Sequence, residues 1–240
     1  MNRPEAKNAI STRFLDQFHN HLHALRYDPS IRVLILRSTV DRVFCAGADL
    51  KERAGMSPLE VKQFLAHLRA TFRDLETLPF PTIAALDGAA LGGGLEMALS
   101  CDLRVAGPGA KVGLPETRLA ILPGAGGTQR LPRIIGMTRA KELIYTAKVL
   151  GPDGAKEYGI VNRVGENGYE IFLDLAKEML PQGPIAMRMA KLALDKASHL
   201  DIDTALEFEQ ACYAQVIPTK DRLEGLRAFK EKRTPQYRGE

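Results

Sequence analysis

Thr82-Ile83-Ala84-Ala85-Leu86-Asp87-Gly88-Ala89-Ala90-Leu91-Gly92-Gly93-Gly94-Leu95-Glu96-Met97-Ala98-Leu99 decides the fold class. Thr82 to Leu86 reads as a strand, Asp87-Gly88 as a turn, and Leu95 to Leu99 as a helix opened by glycine. Upstream, Ile31-Arg32-Val33-Leu34-Ile35-Leu36 is a short β-branched run, expected as a strand buried on both faces. Between the two, Ser57-Pro58-Leu59-Glu60 carries the N-cap, first-turn proline and early acid of a helix start. Val61, Phe64, Leu65, Leu68, Phe72 and Leu75 continue that helix's apolar face until Pro79 and Pro81 stop it. Phe14, Leu15, Phe18, Leu22 and Leu25 predict an earlier amphipathic helix ending near Tyr27-Asp28-Pro29. Strand and helix alternate, which is the α/β signature.

From Thr138 the pattern becomes mostly helical, over 139–146, 169–180, 185–198, 204–216 and 222–232. A soft boundary near Pro181-Gln182-Gly183-Pro184 divides a core over 1–183 from a helical region over 184–240. Ile185, Met189, Leu192, Leu194 and Phe208 exceed what a lone helical tail can bury, so they are expected to pack on the core or on another subunit.

The 240 residues are 45% hydrophobic and 26% charged, enough for a substantial core. Lys+Arg 33 against Asp+Glu 29 leaves a net charge of only +4, scattered along the chain, which does not announce a nucleic-acid binder. Cys45, Cys101 and Cys212 lie far apart, so neither a disulfide framework nor a thiolate metal site is expected. Asp87, Glu96 and Asp102 interrupt the most hydrophobic region, which argues against a membrane span. Met1 to Asn8 has no apolar run of the kind that targeting segments carry.

Glu96 is the first residue out of place, a carboxylate inside a segment otherwise fit for a core and with no cation one helical turn away. Burial would raise its pKa toward the range useful for proton transfer, unless it faces solvent or pairs with a distant arginine. Glu116, in Leu114-Pro115-Glu116-Thr117-Arg118, repeats the pattern, with Arg118 or Arg130 as possible ion-pair partners. Together the two can hold a water and move its protons. Gly92-Gly93-Gly94 opens a helix whose first N–H groups lack internal partners, and Phe44-Cys45-Ala46-Gly47-Ala48-Asp49-Leu50 allows close backbone approach. One N–H from each segment would make an oxyanion hole.

Pro123-Gly124-Ala125-Gly126-Gly127-Thr128-Gln129-Arg130 lacks the lysine of a P-loop, and Gly88 to Gly93 does not match a dinucleotide fingerprint. His19, His21 and His23 on the first helix have no third ligand nearby and are read as a solvated face, so no metal is expected. No serine or cysteine triad stands out by spacing.

At these residues the chain resembles the crotonase superfamily, the enoyl-CoA hydratases and isomerases. Asn2-Arg3-Pro4, Phe44 to Glu52, Ile83 to Cys101, Pro115 to Leu131 and Glu224 to Arg233 all look like motifs of that family, so the match runs nearly end to end. Within the family the motifs look nearest to the enoyl-CoA hydratase domain-containing branch, with an AU-rich-RNA-binding hydratase branch as a near relative. The resemblance implies a spiral of ββα units followed by a helical trimerisation region, a homotrimer or pair of trimers, and a mitochondrial lyase of lipid metabolism. It implies that Ala48 and Gly93 donate the oxyanion-hole N–H groups and that Glu96 and Glu116 align and activate water. An acyl-CoA would lie along Ala46, Asp49, Leu50 and Lys51, with Phe229 and Lys232 near the CoA of a neighbouring subunit, and no separate cofactor would be needed.

Two departures from the family pattern carry expectations. The chain opens directly at Asn2-Arg3-Pro4 where relatives usually place a β-hairpin first, which predicts an exposed sheet edge and a destabilised protein or altered assembly. Thr12, Asp16 and Asn20 stand where the RNA-binding branch carries lysines, which weakens any phosphate attraction. Double-bond isomerisation and binding of CoA or RNA without turnover are the competing readings.

Overall fold

The computed structural model describes residues 1–166 and 168–240, residue 168 by its backbone alone. They form two compact units, one of residues 1–28, 35–78 and 82–173, the other of residues 29–34, 79–81 and 174–240. The division falls inside the helix Gly168–Met179, ahead of the boundary expected at 183/184.

In the first unit, which takes in all the strands but Leu34, the chain alternates between two sheets. Strands β1 (Leu34–Leu36), β3 (Thr82–Leu86), β5 (Leu103–Ala106) and β8 (Arg163–Val164) make one in that order. Strands β2 (Val43–Cys45), β4 (Ala89–Leu91), β6 (Lys111–Gly113) and β7 (Val149–Leu150) make the other. The pairs β1–β2, β3–β4 and β5–β6 each place one strand in each sheet before helices return the chain, a spiral of ββα turns, and a helix separates the last two strands, β7 and β8. Pairing is parallel from β3 to β5 to β8 and from β2 to β4 to β6, with β7 antiparallel to β6. All five residues of β3 are buried, as its continuous apolar run requires of a strand with a neighbour on each side.

β1 departs from expectation. Only Leu34–Leu36 of the Ile31 run is a strand, and it lies at the end of its sheet with Leu34 and Ile35 half-buried. A β-branched run signals extended backbone, but whether both faces are covered depends on what lies beside it.

The first helix, α1 (Thr12–Arg26), and the helix α3 (Pro58–Glu76) match their predicted spans and pack together. A short helix α2 (Leu50–Ala54) lies between them in sequence. Ser57 and Glu60 close a reciprocal capping box at the start of α3, an arrangement typically worth about 1 kcal/mol. Phe64, Leu68, Phe72 and Leu75 are buried on one face of α3, and truncating the fully enclosed Phe72 would cost roughly 3–5 kcal/mol. The histidine reading needs correction: His21 and His23 are exposed, but His19 turns toward α3, with Nδ1 3.1 Å from Asp74 and its ring edge-on to His67. Three residues could not tell which side of α1 another helix would cover. No three metal-binding side chains gather among the described residues.

Beyond β4 come α4 (Gly93–Leu99), α5 (Gly127–Ile135), α6 (Met137–Tyr145) and α7 (Pro152–Glu157). The helix Gly168–Met179, α8, leads into the second unit, which holds α9 (Pro184–Ala197), α10 (Ile202–Val216) and α11 (Lys220–Glu231). α9 and α10 pack together, yet Leu192, Leu194, Leu206 and Tyr213 stay exposed on them. All three cysteines are free and buried, and no described helix is long and apolar enough to cross a membrane.

Candidate active site

The site begins where β2 ends. Ile10 N–H donates to the Gly47 carbonyl at 2.8 Å and Asp49 N–H to the Ile10 carbonyl at 3.0 Å, a parallel bridge that flanks Ala48. Bonding alternates along such a bridge, so the Ala48 N–H faces away from Ile10 and donates to no backbone or side-chain acceptor among the described residues. Gly47 makes the bend with φ +95°, and a Cβ there would sit 2.9 Å from the Leu91 carbonyl oxygen.

The second amide comes from α4. Gly93 is its first residue, so its N–H has no partner within the helix. Gly94 lets the helix start against β2: a Cβ on it would lie 2.1 Å from the Cys45 carbonyl oxygen. This contact brings Gly93 beside Ala48, such that a Cβ on Gly93 would be 3.6 Å from Ala48 N. The far end of α4 is tied down by the buried Arg104, which donates to the Cys101 carbonyl at 2.7 Å, the Ala98 carbonyl at 3.3 Å and the Ile160 carbonyl at 2.7 Å.

One turn after Gly93, Glu96 is 3% exposed. Its Oε1 accepts from Ala125 N–H at 2.8 Å and Gly127 N–H at 2.7 Å. Burial pushes its pKa up, while the two amides and the charges of Arg130 and Arg69 pull it back. Glu96 thus neither faces solvent nor forms an ion pair of its own. The loop that holds it was set aside in the sequence as a failed phosphate loop. It is an anion cradle leading into α5, and the anion is the protein's own carboxylate. Glycines before a helix signalled the cradle, and only a contact across 29 residues of chain revealed its guest.

Glu116 sits in a 3-10 turn, Pro115–Leu119, directly after β6. Its carboxylate reaches over Gly92, whose Cβ, if present, would be 3.1 Å from Oε1. Neither expected arginine pairs with it: Arg118 donates to the Ala147 carbonyl, and Arg130 is held by Glu76. Oε2 is buried without a hydrogen-bond partner among the described residues. Burial, reinforced by the Glu96 charge, raises the Glu116 pKa to about 7. Glu116 thus lies over Gly92 and within reach of the Glu96 charge, while the amides of Ala48 and Gly93 sit side by side at the start of the same helix.

The remaining candidates divide. Ala46, Leu50 and Lys51 are exposed beside Ala48. The Asp49 carboxylate is already engaged, receiving Arg3 Nη2 at 3.0 Å and the Glu52 N–H at the start of α2. These two contacts brace the loop. Phe229, 87% exposed, and Lys232 lie at the end of α11 in the second unit.

The enoyl-CoA hydratase/isomerase family model matches residues 1–240. The chain belongs to this family. It is 56% identical over 246 residues to human methylglutaconyl-CoA hydratase, mitochondrial, covering all of this chain and 73% of that one. It is 52% identical over 245 residues to human enoyl-CoA hydratase domain-containing protein 2, mitochondrial, covering all of this chain and 84% of the relative. The motifs pointed first to the second of these branches, whereas identity ranks the first slightly higher. Among solved structures, the enoyl-CoA hydratase of Bacillus anthracis superimposes with a TM-score of 0.96 at 49% identity, over 99% of this chain and 93% of that one. The ββα spiral is thus a crotonase fold.

Proposed function

We propose that this chain adds water across the double bond of a 2-enoyl-CoA thioester. The observation that carries the reading is that Glu96 and Glu116 lie close enough for the charge of one to act on the other, with Glu116 over Gly92 and the free N–H groups of Ala48 and Gly93 side by side. The thioester oxygen accepts both N–H groups, and the charge that develops on it as the enolate forms is stabilised by several kcal/mol. Water attacks the β-carbon. Because Oε1 of Glu96 is committed to two amides, its Oε2 takes the water proton. Glu116, whose ionised form has only its own backbone N–H to favour it against burial and the Glu96 charge, delivers its proton to the α-carbon. The proton gained by Glu96 and the one lost by Glu116 balance through solvent, so one water is added and the enzyme is restored.

Coenzyme A enters as part of the substrate and the chemistry calls for no further cofactor. The acyl-CoA lies along Ala46 to Lys51, with Phe229 and Lys232 meeting the CoA of a neighbouring subunit. A homotrimer or pair of trimers covers the exposed leucines of α9 and α10, and the protein works in mitochondria, the compartment in its relatives' names, where we place it in the matrix. Thr12, Asp16 and Asn20 are all exposed on or at the start of α1 and bring no positive charge, which supports leaving RNA aside.

Crotonyl-CoA and a panel of straight and branched 2-enoyl-CoA substrates, incubated in ¹⁸O-labelled water, test this. Loss of enoyl absorbance with one labelled oxygen in the product is expected. Double-bond migration without label would establish an isomerase instead, and binding without conversion would end the enzymatic reading.

A further inference from the structure

Glu96 is held by a loop, and the loop is itself held. Arg130, on α5, donates from Nη1 to the Ala125 carbonyl at 3.0 Å, while the N–H of the same residue donates to Glu96. The rest of the guanidinium is gripped by Glu76 at the end of α3, Nε to Oε1 at 3.2 Å and Nη2 to Oε2 at 3.0 Å, a two-point fork that fixes its plane. A second arginine of α3, Arg69, donates to the Gly124 carbonyl at 2.7 Å. Gly126, at φ +108°, makes room for this arrangement, since a Cβ on it would fall 2.1 Å from Arg130 Nη1. Nothing in catalysis as described above uses Glu76 or Arg130, yet both are largely shielded from solvent.

We propose that Arg130, clamped by Glu76, is a positioning residue: it fixes the Ala125–Gly127 loop so that two backbone amides grip the Glu96 carboxylate and aim its free oxygen at water. The identity of that water's acceptor rests on the hydratase reading, but the grip on Glu96 does not. Around Glu96 the charged groups are Arg69 and, beyond it, Arg73 and Glu76 from α3, Arg130 from α5 and Glu116 from the 3-10 turn. The two arginines that touch the loop favour the carboxylate, and Glu116 opposes it.

Glu76 makes the proposal sharp because its two conceivable effects have opposite signs. If Glu76 acted only as a negative charge, removing it would make Glu96 easier to ionise. If it acts by holding Arg130, removing it loosens the amides and makes Glu96 harder to ionise.

The test uses Arg130→Met, Arg130→Lys and Glu76→Met, each alone and combined with Glu96→Gln, in the full chain. The Glu96 carboxyl ¹³C resonance, assigned by its absence in Glu96→Gln, reports ionisation whether or not the protein turns over crotonyl-CoA. In Arg130→Met its midpoint should move to higher pH, in Glu76→Met it should move the same way by less, and Arg130→Lys should restore part of the shift. In turnover, Arg130→Met should lower kcat by roughly 10- to 100-fold, by analogy with outer-shell partners that orient a ligand, with KM little changed. In the Glu96→Gln background the same change should have almost no further effect. A downward or absent shift in Glu76→Met, or an equal loss of kcat in the Glu96→Gln background, would overturn the proposal. If the parent chain itself does not turn over crotonyl-CoA while the carbon resonance still shifts as stated, the positioning role stands and the hydratase reading falls.

Discussion

The two halves of the acid pair are built by opposite means. Glu96 grows from a helix jammed against β2 at Gly94, tied at its other end by Arg104, and its carboxylate is gripped by two amides. Glu116 hangs from a 3-10 turn whose next four residues are exposed, with one oxygen buried and unpartnered. Burial raises both pKa values; at Glu96 two loop amides and two arginines oppose it, at Glu116 only its own backbone N–H does. The contrast teaches that two carboxylates near enough to feel each other's charge are not thereby equivalent. In the proposed hydration, the donors on each carboxylate would decide which is held ready to accept a proton and which keeps one to give.

The strongest way to break the comparison is to neutralise each acid in turn. Glu96→Gln should lower kcat for crotonyl-CoA hydration by about 10³- to 10⁴-fold, the upper part of the range for general acid–base groups, and Glu116→Gln by about 10²- to 10³-fold. Equal and small losses from both would dissolve the distinction. Next in size is the amide pair that both acids depend on. Gly93→Ala places a methyl group 3.6 Å from Ala48 N, in the space for the thioester oxygen, and should reduce kcat/KM about 10²-fold while the melting temperature changes little.

A subtler probe is pH. Hydration takes up no net proton, so forward and reverse kcat/KM must share one profile, and activity requires the pair to hold a single proton. That proton leaves as pH rises through about 7, where Glu116 ionises, so kcat/KM should fall above this point in both directions. A profile flat through neutrality would contradict the assignment.

The smallest effect is on stability. Folding raises the Glu116 pKa from an ordinary 4.5 to about 7, so the stability of the protonated form is fully present below 4.5 and lost as pH climbs through 7. Glu116→Gln cannot suffer that loss. Its melting temperature should gain on the parent between pH 4.5 and 7 and then hold a constant lead. A lead that shrinks with rising pH would show that Glu116 is stabilised as an ion after all.

Much of this arrangement is legible in the chain. The α3 span follows from its capping box and apolar spacing, both of which are local. β3 is recognisable as Thr82 and four apolar residues ahead of a turn. β4 is not, because Ala89-Ala90-Leu91 carries no β-branched residue and becomes a strand only by pairing with β2 and β6. Glu96 and Glu116 stand out as carboxylates in apolar text. What holds them does not, since Arg118 and Arg130 looked like partners for Glu116 and both are engaged elsewhere.

By itself the sequence determined the α/β alternation, the helices of the second unit, the two acids and the glycines that free two amides. Those follow from periodicity, backbone freedom and burial, which act over a few residues at a time. Only the tertiary structure decided that β1 lies at a sheet edge, that Asp49 braces a loop, and that the Ala125–Gly127 segment binds a carboxylate and not a phosphate. Each of these depends on which distant group a side chain or amide meets, and a hydrogen bond has no memory of how many residues separate its partners.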